Sequence, residues 1–329
     1  MRNAVICSTG AYFPKRLLPN SYFNALLGED VDTWLRTNLN IYQRHWCEED
    51  ESTADLCVHA AKQAMERAGI KGNQINLIIV ATDTPEYITP ATAAIVQFRL
   101  EAGSAGGFDL NAACAGFVTA LDVAARYVRD DPNCNYALVI GAYAMSKYLD
   151  KEDKKTVSLF SDGAGAVILK AEDCEDKGYL CSELQTLGQY YDGMGIFGGG
   201  TRKPINDQTL ANRDHLLKIV YRFPPELNPQ MWTRMAKNLC RRLRVSPTEV
   251  DHYFLTQINI RSIRMTLDSL DVPHSKAHTI MDRYAYPGSA AIPIALDDAF
   301  KEGKIQPGNL IYFIGTGSGL SFASVAFRF

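Results

Sequence analysis

The amino-acid sequence predicts an α/β protein built from two copies of one unit, with helices packed between or around β-sheets. Amphipathic helices alternate along the chain with short segments that are apolar on both faces, and this plan occurs twice at a nearly constant spacing. Strands that are apolar on both faces are typical of sheets covered by helices on both sides. A chain of 329 residues is long enough for one large core or two fused ones.

The repeat begins with a helix, a turn and a buried strand. The first copy reads TADLCVHAAKQAMERAGIKGNQINLIIVATDT, and the second reads PQMWTRMAKNLCRRLRVSPTEVDHYFLTQIN. Ile70 corresponds to Val245, 175 residues later, and ALDVA at 120–124 corresponds to ALDDA at 295–299 with the same offset. Internal similarity of this kind indicates a duplicated structure.

The duplication predicts the domain organisation. We expect residues 1–180 and 231–329 to form the two halves. The segment 181–230 between them is rich in Gly, Asn and Pro and fits neither copy, so we expect a connector or cap. Long irregular connectors often line binding sites.

Composition excludes several classes of protein. The net charge of -3 lacks the basic excess of a general nucleic-acid or membrane surface. The N-terminus has no signal-peptide apolar region and no stretch approaches the length of a membrane span, so we expect a cytoplasmic protein. Eight scattered cysteines, without metal-ligand spacing, indicate reduced thiols and no metal site.

Cys114 lies in the stretch DLNAACAGF at 109–117. A lone cysteine is usually a small buried hydrophobe. Cys114 differs because it follows an apolar strand and stands among small residues at the first turn of a predicted helix. The N–H groups at a helix N-terminus favour a thiolate and lower the pKa of the thiol. Cys114 is therefore a candidate nucleophile.

The glycine-rich stretch GTGSG at 315–319 follows an apolar strand. It does not fit a dinucleotide-binding loop, because only ten residues remain after Gly319 and they have the pattern of a strand. A sharp turn here would expose backbone N–H groups able to bind an oxyanion. A plain glycine hairpin is the alternative interpretation.

Four motifs resemble the ketoacyl-acyl-carrier-protein synthase III family of the thiolase superfamily: DLNAACAGF, FSDGAGAVIL at 160–169, KEGKIQPGNL at 301–310 and the closing SFASVAFRF. The resemblance implies a thiolase fold, five-layered αβαβα, formed from two duplicated halves. It also implies that Cys114 is acylated by acyl-CoA or by an acyl carrier protein. The backbone N–H groups of Cys114 and Ser318 would form the oxyanion hole.

Two positions depart from the family pattern. The family uses a histidine and an asparagine to bind the malonyl thioester, whereas this chain has Thr256 in TQINIR and Tyr286 in MDRYAYPGSAA. Neither side chain is a ready general base near pH 7, although both can donate hydrogen bonds. Glu86, on a loop that borders the acyl channel in relatives, is a possible base. An exposed loop carboxylate without a catalytic role is the alternative.

The carrier-binding residues are partly kept. Trp34 matches the tryptophan that flanks the coenzyme A adenine, Asn38 replaces an arginine, and Lys147 stands at the position of a second arginine. Asparagine and lysine cannot reproduce the stacked, bidentate contact of arginine. A carrier-bound donor is therefore at least as plausible as free acyl-CoA. A solvated surface position is the alternative interpretation of both Lys147 and Arg261. The family residues that are retained after Thr256 are Gln257, Asn259 and Arg261.

Three functions remain open from the sequence. The first is acyl transfer from Cys114 to a hydroxyl, amine or carbon acceptor in fatty-acid-derived or polyketide-type metabolism. The second is Claisen condensation with Thr256 and Tyr286 binding the extender carbonyl. The third is a non-catalytic subunit of a heterodimer, against which Cys114 argues. The family implies no cofactor beyond the thioester substrate, and a homodimer in which the loop near Thr89 reaches the partner's acyl channel.

Overall fold

The computed structural model describes all residues from 1 to 329. Thirteen strands follow the chain in this order: β1 (Arg2–Tyr12), β2 (Arg16–Pro19), β3 (Gln43–Trp46), β4 (Leu77–Ala81), β5 (Gly106–Leu110), β6 (Tyr136–Tyr143), β7 (Gly163–Asp173), β8 (Gly178–Thr186), β9 (Met194–Gly195), β10 (Lys218–Ile219), β11 (His252–Leu255), β12 (Leu310–Gly317) and β13 (Ser321–Arg328).

Ten α-helices connect these strands: α1 (Asn20–Leu27), α2 (Asp32–Leu39), α3 (Thr53–Ala68), α4 (Thr92–Arg99), α5 (Gly116–Asp130), α6 (Asp207–Ala211), α7 (Leu227–Leu243), α8 (Ile260–Ser269), α9 (Met281–Tyr284) and α10 (Ala291–Lys301). Glycine ends α3 where the chain turns towards β4, because Gly69 adopts a left-handed conformation with φ of 66°.

Two sheets carry the fold. The first has the order β1-β7-β6-β4-β5 and the second the order β11-β12-β13-β8. In the first sheet β4 is parallel to β5 and β6, while β7 is antiparallel to β1 and β6. In the second sheet β11 is parallel to β12, and the remaining pairs are antiparallel. The second sheet thus repeats four strands of the first in the same spatial order.

The helices complete five layers. Helices α5 and α10 lie between the two sheets and contact strands of both, while α3 packs on the outer face of the first sheet and α7 on that of the second. A central helix buried between two sheets needs apolar residues around most of its surface. Helix α5 meets this need with Phe117, Leu121 and Val128, all fully buried. The predicted αβαβα thiolase fold is confirmed.

The duplication extends to the turns that begin the central helices. Short 3₁₀ turns at Ala113–Ala115 and Gly288–Ala290 precede α5 and α10, with the same 175-residue offset. Ala113 and Gly288 share a left-handed backbone, with φ of 46° and 45°. The counterpart of Cys114 is Ser289, whose hydroxyl donates to the Ala142 carbonyl at 2.7 Å. Only the first copy carries a thiol at this turn, and the Ser289 hydroxyl of the second is bonded to the backbone.

The segment between the halves has a mixed structure. Strand β8 pairs with β13 in the second sheet, although most of it falls within the predicted connector 181–230. Beyond β8 the segment contains the short β9–β10 ladder and α6. The Leu217 N–H donates to the Tyr148 carbonyl at 2.8 Å, which attaches this segment to the first half. The domain boundaries at 180 and 230 stay predictions.

None of the helices combines the length and the apolar character needed to cross a membrane.

Candidate active site

The candidate site lies where three neighbouring strands end. Ala81 at the end of β4 is paired with Leu110 of β5 and Gly141 of β6. Because the three strands are parallel, the residues that follow them meet at one edge of the sheet. Asp83 follows β4, Cys114 follows β5 and Tyr143 ends β6. Crevices at the carboxyl ends of parallel strands are the usual ligand sites of open α/β sheets.

The backbone at Cys114 is a strained elbow. Ala113 has φ of 46°, a conformation that costs a residue with a side chain about 1–3 kcal/mol. The Ala113 N–H donates to Asn111 Oδ1 at 3.0 Å, which fixes the entry to the turn. A Cβ on Gly116 would lie 3.3 Å from the Ala81 Cβ, so the start of α5 packs closely on the end of β4. This packing holds Cys114 at the sheet edge.

The glycine-rich turn of the second half packs directly on the elbow. A Cβ on Gly317 would lie 2.2 Å from the Ala112 carbonyl oxygen and 2.9 Å from the Cys114 nitrogen. Only glycine fits at position 317, which explains the central glycine of GTGSG. The Ser318 hydroxyl donates to the Met194 carbonyl, so the group of Ser318 left for an oxyanion is its backbone N–H. The oxyanion hole of Cys114 and Ser318 stays a prediction.

The electrostatic environment of Cys114 differs from the sequence-based expectation. The residue is 4% exposed, and burial raises the pKa of its thiol to about 12. The charge of Asp83 raises this pKa further, whereas the Tyr286 phenol lowers it. The expected lowering of the thiol pKa is therefore wrong in direction. Loss of solvation outweighs the favourable position before a helix, because a thiolate in an apolar site is poorly stabilised.

Tyr286 is the predicted site residue that the structure brings to Cys114. Its side chain is 1% exposed, its ring centroid lies 5.7 Å from that of Phe160, and its carbonyl accepts from the Ser161 N–H at 3.1 Å. Burial, followed by the interaction with Cys114, raises the pKa of Tyr286 well above its ordinary value. The phenol and the thiol are in polar contact, and this contact favours the thiolate of Cys114. A neutral phenol in this place is a hydrogen-bond donor.

Thr256 is buried but committed to the second sheet. Its Oγ1 accepts from the Thr316 N–H at 2.8 Å and lies 3.4 Å from the Thr316 carbonyl oxygen. These contacts extend the pairing of β11 and β12 by one residue, since Thr256 immediately follows β11. The hydroxyl is therefore already engaged by the backbone of the neighbouring strand.

The retained residues after Thr256 have local partners. The Gln257 side-chain amide donates to the His278 carbonyl, and its Oε1 accepts from the Ile280 N–H, both at 2.9 Å. Asn259 caps α8 by accepting from the Arg261 N–H at 2.9 Å. The Arg261 side chain is exposed. Gln257 and Asn259 thus support the backbone of this region.

Glu86 is engaged at the start of a helix. Its Oε2 accepts from the Ala54 N–H at 3.0 Å, in the first turn of α3. A carboxylate is favoured there because the first N–H groups of a helix have no partner within the helix. This contact gives Glu86 a role in capping α3.

The pocket at Trp34 is lined by cationic side chains and by the acidic Glu29 and Asp30, and Lys154 is paired with Glu29 at 3.1 Å. The Trp34 side chain is 57% exposed at its edge, and Lys154, Lys155 and Arg222 line the same pocket. The Asn38 amide donates to the Trp34 carbonyl at 3.0 Å and stabilises α2.

Lys147 lies outside this pocket. Its ammonium donates to the carbonyls of Glu48 and Glu49 at 2.5 and 3.0 Å. Lys154 and Lys155 are the lysines near Trp34, and sequence reasoning missed them because their approach to α2 depends on the tertiary fold.

Sequence reasoning also missed Asp83. Its Oδ1 is enclosed and has no hydrogen-bond partner, and the side chain bonds to no other residue. Burial raises the pKa of this carboxyl to about 6. Its charge raises the pKa values of Cys114, Tyr143, Tyr148 and Tyr286, so it faces the same space. The available signal was an acidic residue two positions after the apolar run LIIVA, where a parallel strand ends.

One cluster elsewhere has potential metal ligands. His278, Asp298 and Glu302 offer ligand atoms within 4.8 Å of one another. Asp298 is bonded to Arg283 at 2.6 Å, and Glu302 is paired with Lys304 at 2.7 Å. These cations already compensate the carboxylates. The absence of a metal stays a prediction.

Comparison with known proteins places the chain in a family. The model of the family 3-oxoacyl-[acyl-carrier-protein (ACP)] synthase III matches residues 108–188, and the model of its C-terminal part matches residues 240–329. The β-ketoacyl-[acyl-carrier-protein] synthase III of Wolbachia pipientis subsp. Culex pipiens (strain wPip) is 38% identical over 330 residues, which cover 100% of both chains.

Solved structures of proteins with the same fold support this family assignment. The 3-oxoacyl-[acyl-carrier-protein] synthase III of Aquifex aeolicus VF5 superimposes with a TM-score of 0.89 at 30% identity, covering 99% of this chain and 100% of the other. The priming β-ketosynthase of the R1128 polyketide biosynthetic pathway superimposes with a TM-score of 0.88 at 26% identity, covering 99% of this chain and 96% of the other. The duplicated fold with one cysteine elbow defines a transferase of the thiolase superfamily. The chain belongs to the 3-oxoacyl-[acyl-carrier-protein] synthase III family.

Proposed function

We propose that this protein is a synthase III-type acyltransferase that loads an acyl group onto Cys114 from acyl-CoA or an acyl carrier protein and then transfers it to an acceptor. The observation that carries the proposal is the Cys114 elbow, with the Tyr286 phenol beside the thiol and the Gly317 backbone against the Cys114 amide. Covalent catalysis needs a nucleophile within reach of the carbonyl carbon and donors for the oxyanion, and the Tyr286 phenol favours the thiolate of this nucleophile.

In the first half-reaction, the Cys114 sulfur forms a bond to the thioester carbonyl carbon. The bond from that carbon to the donor sulfur breaks, and the thiol proton leaves with the donor as coenzyme A or carrier thiol. The N–H groups of Cys114 and Ser318 would face the carbonyl oxygen while it carries negative charge. Phosphates of the donor would meet Lys154, Lys155 and Arg222 beside Trp34.

The second half-reaction distinguishes acyl transfer from condensation. Support for acyl transfer comes from Thr256, whose hydroxyl is engaged by Thr316 and which cannot replace an imidazole. Decarboxylative condensation is the second candidate, because the relatives are named ketoacyl synthases and the Tyr286 phenol could donate to an extender carbonyl.

Intact mass spectrometry tests the proposal. The protein is incubated with a panel of acyl-CoA and acyl-carrier thioesters, with Cys114→Ala as the negative control and Cys7→Ser as a matched exposed cysteine. We expect an acyl adduct in wild type and Cys7→Ser but not in Cys114→Ala. The absence of an adduct with every donor would favour the non-catalytic subunit. Release of a ketoacyl product on addition of malonyl carrier would favour condensation.

A homodimer is part of the proposal. Strand β5 is an unpaired sheet edge, and the nearby loop and helix α4 expose Tyr87 at 57%, Ile88 at 84% and Phe98 at 80%. Open edges and exposed apolar clusters are usually covered by a partner. Sedimentation equilibrium measures the oligomeric state, and a monomer at all concentrations would contradict this part.

A further inference from the structure

Asp83 has the features of a reactive group that the fold does not explain. Its Oδ1 is enclosed without any partner, and no other residue bonds to the side chain. An unpaired buried polar group costs about 1–3 kcal/mol, and more when it is charged. Buried carboxylates are usually paired, so an unpaired one indicates a site where a ligand supplies the partner.

Asp83 and Cys114 lie at the same edge of the first sheet, because each follows the carboxyl end of one of the adjacent parallel strands β4 and β5. Gly116 at the start of α5 packs against Ala81 at the end of β4. Asp83 lies two residues after Ala81, and Cys114 lies two residues before Gly116. Asp83 as a whole residue is partly exposed although its Oδ1 is enclosed, so the residue lies at the boundary between core and solvent. No hydrogen bond joins the two side chains, so the Asp83 carboxylate is not committed to the thiol.

The groups facing Asp83 carry no compensating charge. Beyond Cys114, they are Tyr143 at the end of β6, Tyr148 in the 3₁₀ turn that follows β6, and Tyr286 before α10. Burial keeps all three phenols neutral, since it raises their pKa values above the ordinary value of about 10. Asp83 is thus the one acidic group whose charge raises the pKa of the Cys114 thiol. Glu86, on the same loop, is hydrogen-bonded to the first turn of α3.

Acylation changes the balance between Asp83 and Cys114. Two negative charges at close range cannot both form easily, so a carboxylate at Asp83 opposes a thiolate at Cys114. An acyl thioester at Cys114 is neutral and removes this conflict. The carboxylate is then free to act on whatever molecule enters next to the thioester.

We propose that Asp83 is the general base of the second half-reaction and that the acceptor is a neutral hydroxyl or amine compound. Asp83 takes the proton from the acceptor as its oxygen or nitrogen forms a bond to the thioester carbonyl carbon. The carbon–sulfur bond then breaks, and Asp83 returns the proton to the Cys114 sulfur. This inference rests on the proposed acyl transfer. An anionic malonyl thioester is disfavoured, because its carboxylate would approach an uncompensated negative charge.

Discharge of the acyl-enzyme to water tests the base, with water as the probe nucleophile. Wild type, Asp83→Asn and Asp83→Glu are acylated with the thioester that labels wild type and freed of donor by gel filtration. Loss of the adduct is then followed by intact mass from pH 5 to 9. Thermal unfolding shows that each variant is folded.

We expect wild-type discharge to increase with pH through a midpoint near 6 and then to level off. Asp83→Asn should acquire the adduct, discharge it at least about 10-fold more slowly and lose the midpoint, because general bases contribute roughly 10²–10⁴-fold. Asp83→Glu should recover part of the rate with a pH midpoint. A merely structural role would not move the pH profile.

Other outcomes would overturn the inference. The first is a pH profile of discharge in Asp83→Asn that matches that of wild type. The second is a folded Asp83→Asn protein that is not acylated at all. The third is slow discharge in Glu86→Gln together with normal discharge in Asp83→Asn. If malonyl-CoA discharges the wild-type adduct to a ketoacyl product faster than water does, the neutral acceptor is wrong. Failure of wild type itself to form an adduct would instead contradict the proposed function.

Discussion

The hydroxyl of Thr256 is bonded to the backbone of Thr316 on the neighbouring strand, with the Thr316 N–H donating at 2.8 Å. Thr316 also accepts from Trp232 Nε1 through its own hydroxyl at 2.5 Å. The position at which the family resemblance places a histidine is thus occupied by a side chain that joins β11 to β12 and, through β12, to α7.

Thr256→Val should destabilise the protein without preventing acylation. Valine keeps the shape of threonine but leaves the buried Thr316 N–H unsatisfied, which costs about 1–3 kcal/mol. Urea unfolding measures the loss, and intact mass measures the adduct on Cys114. Thr256→Ser keeps the hydroxyl and is the matched control. Loss of the adduct in a folded Thr256→Val protein would instead indicate a direct role in catalysis.

Tyr286→Phe should make Cys114 less reactive. The phenol lowers the pKa of the thiol, so its removal raises that pKa and decreases the thiolate fraction at any given pH. We expect alkylation of Cys114 by iodoacetamide at pH 8 to be about 3- to 10-fold slower, as followed by peptide mass spectrometry. The ring remains packed near Phe160, so unfolding should change little.

Asp83→Asn provides the opposite control in the same assay. Removal of its charge lowers the pKa of Cys114, and alkylation should become faster. If both variants changed the rate in the same direction, general disturbance of the site would be the better explanation.

Asp83 should also make stability depend on pH. Its pKa is about 6 in the folded protein and about 3.8 in the unfolded chain, so the folded state binds the proton more tightly. Between about pH 4 and 6 the unfolded chain ionises first, and the folded state loses up to about 3 kcal/mol, a loss that persists at higher pH. Asp83→Asn should therefore gain stability relative to wild type as pH rises through this window. Urea unfolding at pH 4 and 8 measures the difference in stability between Asp83→Asn and wild type. A difference that does not change with pH would contradict a raised pKa of Asp83 in the folded protein.

Gly288→Ala should destabilise the second elbow strongly. The added Cβ would lie 2.4 Å from the Tyr143 ring, in addition to the strain of φ at 45°. Gly303→Ala is the matched control, because Gly303 has φ of 68° with nothing within 4 Å of the added Cβ. We expect chemical denaturation to show that the free energy of unfolding falls by about 1 kcal/mol in the control and by about 2–4 kcal/mol in Gly288→Ala. Equal losses would mean that the Tyr143 ring moves aside.

Trp34→Ala should weaken donor binding selectively. The side chain is 57% exposed, so its removal should leave stability unchanged while the KM for acyl-CoA rises several-fold at a similar kcat. The double variant Lys154→Ala, Lys155→Ala should reduce the salt dependence of KM, because these are the charges that we propose to meet the phosphates of the donor. Lys151→Ala, an exposed lysine outside the pocket, is the control. An unchanged KM in Trp34→Ala would place the donor elsewhere.

Much of the fold followed from local patterns. Helices α3 and α5, strands β4 and β12 and the 175-residue offset were predicted from apolar spacing and repetition, since burial of these segments dictates their residue types. The assignment of β8 to the second sheet was not predicted, because its pairing with β13 joins residues far apart in the chain.

The candidate site divides in the same way. The sequence by itself determined Cys114 as the nucleophile candidate and the presence of threonine and tyrosine at two family positions. Only the tertiary structure decided that Tyr286 contacts the thiol and that the Thr256 hydroxyl is hydrogen-bonded to Thr316. It also decided that Glu86 caps a helix, whereas the Asp83 Oδ1 has no hydrogen-bond partner. The physical reason is that residue types record burial and backbone demands locally. The pKa of a group and the availability of its hydrogen-bonding atoms depend on neighbours that only the folded chain supplies.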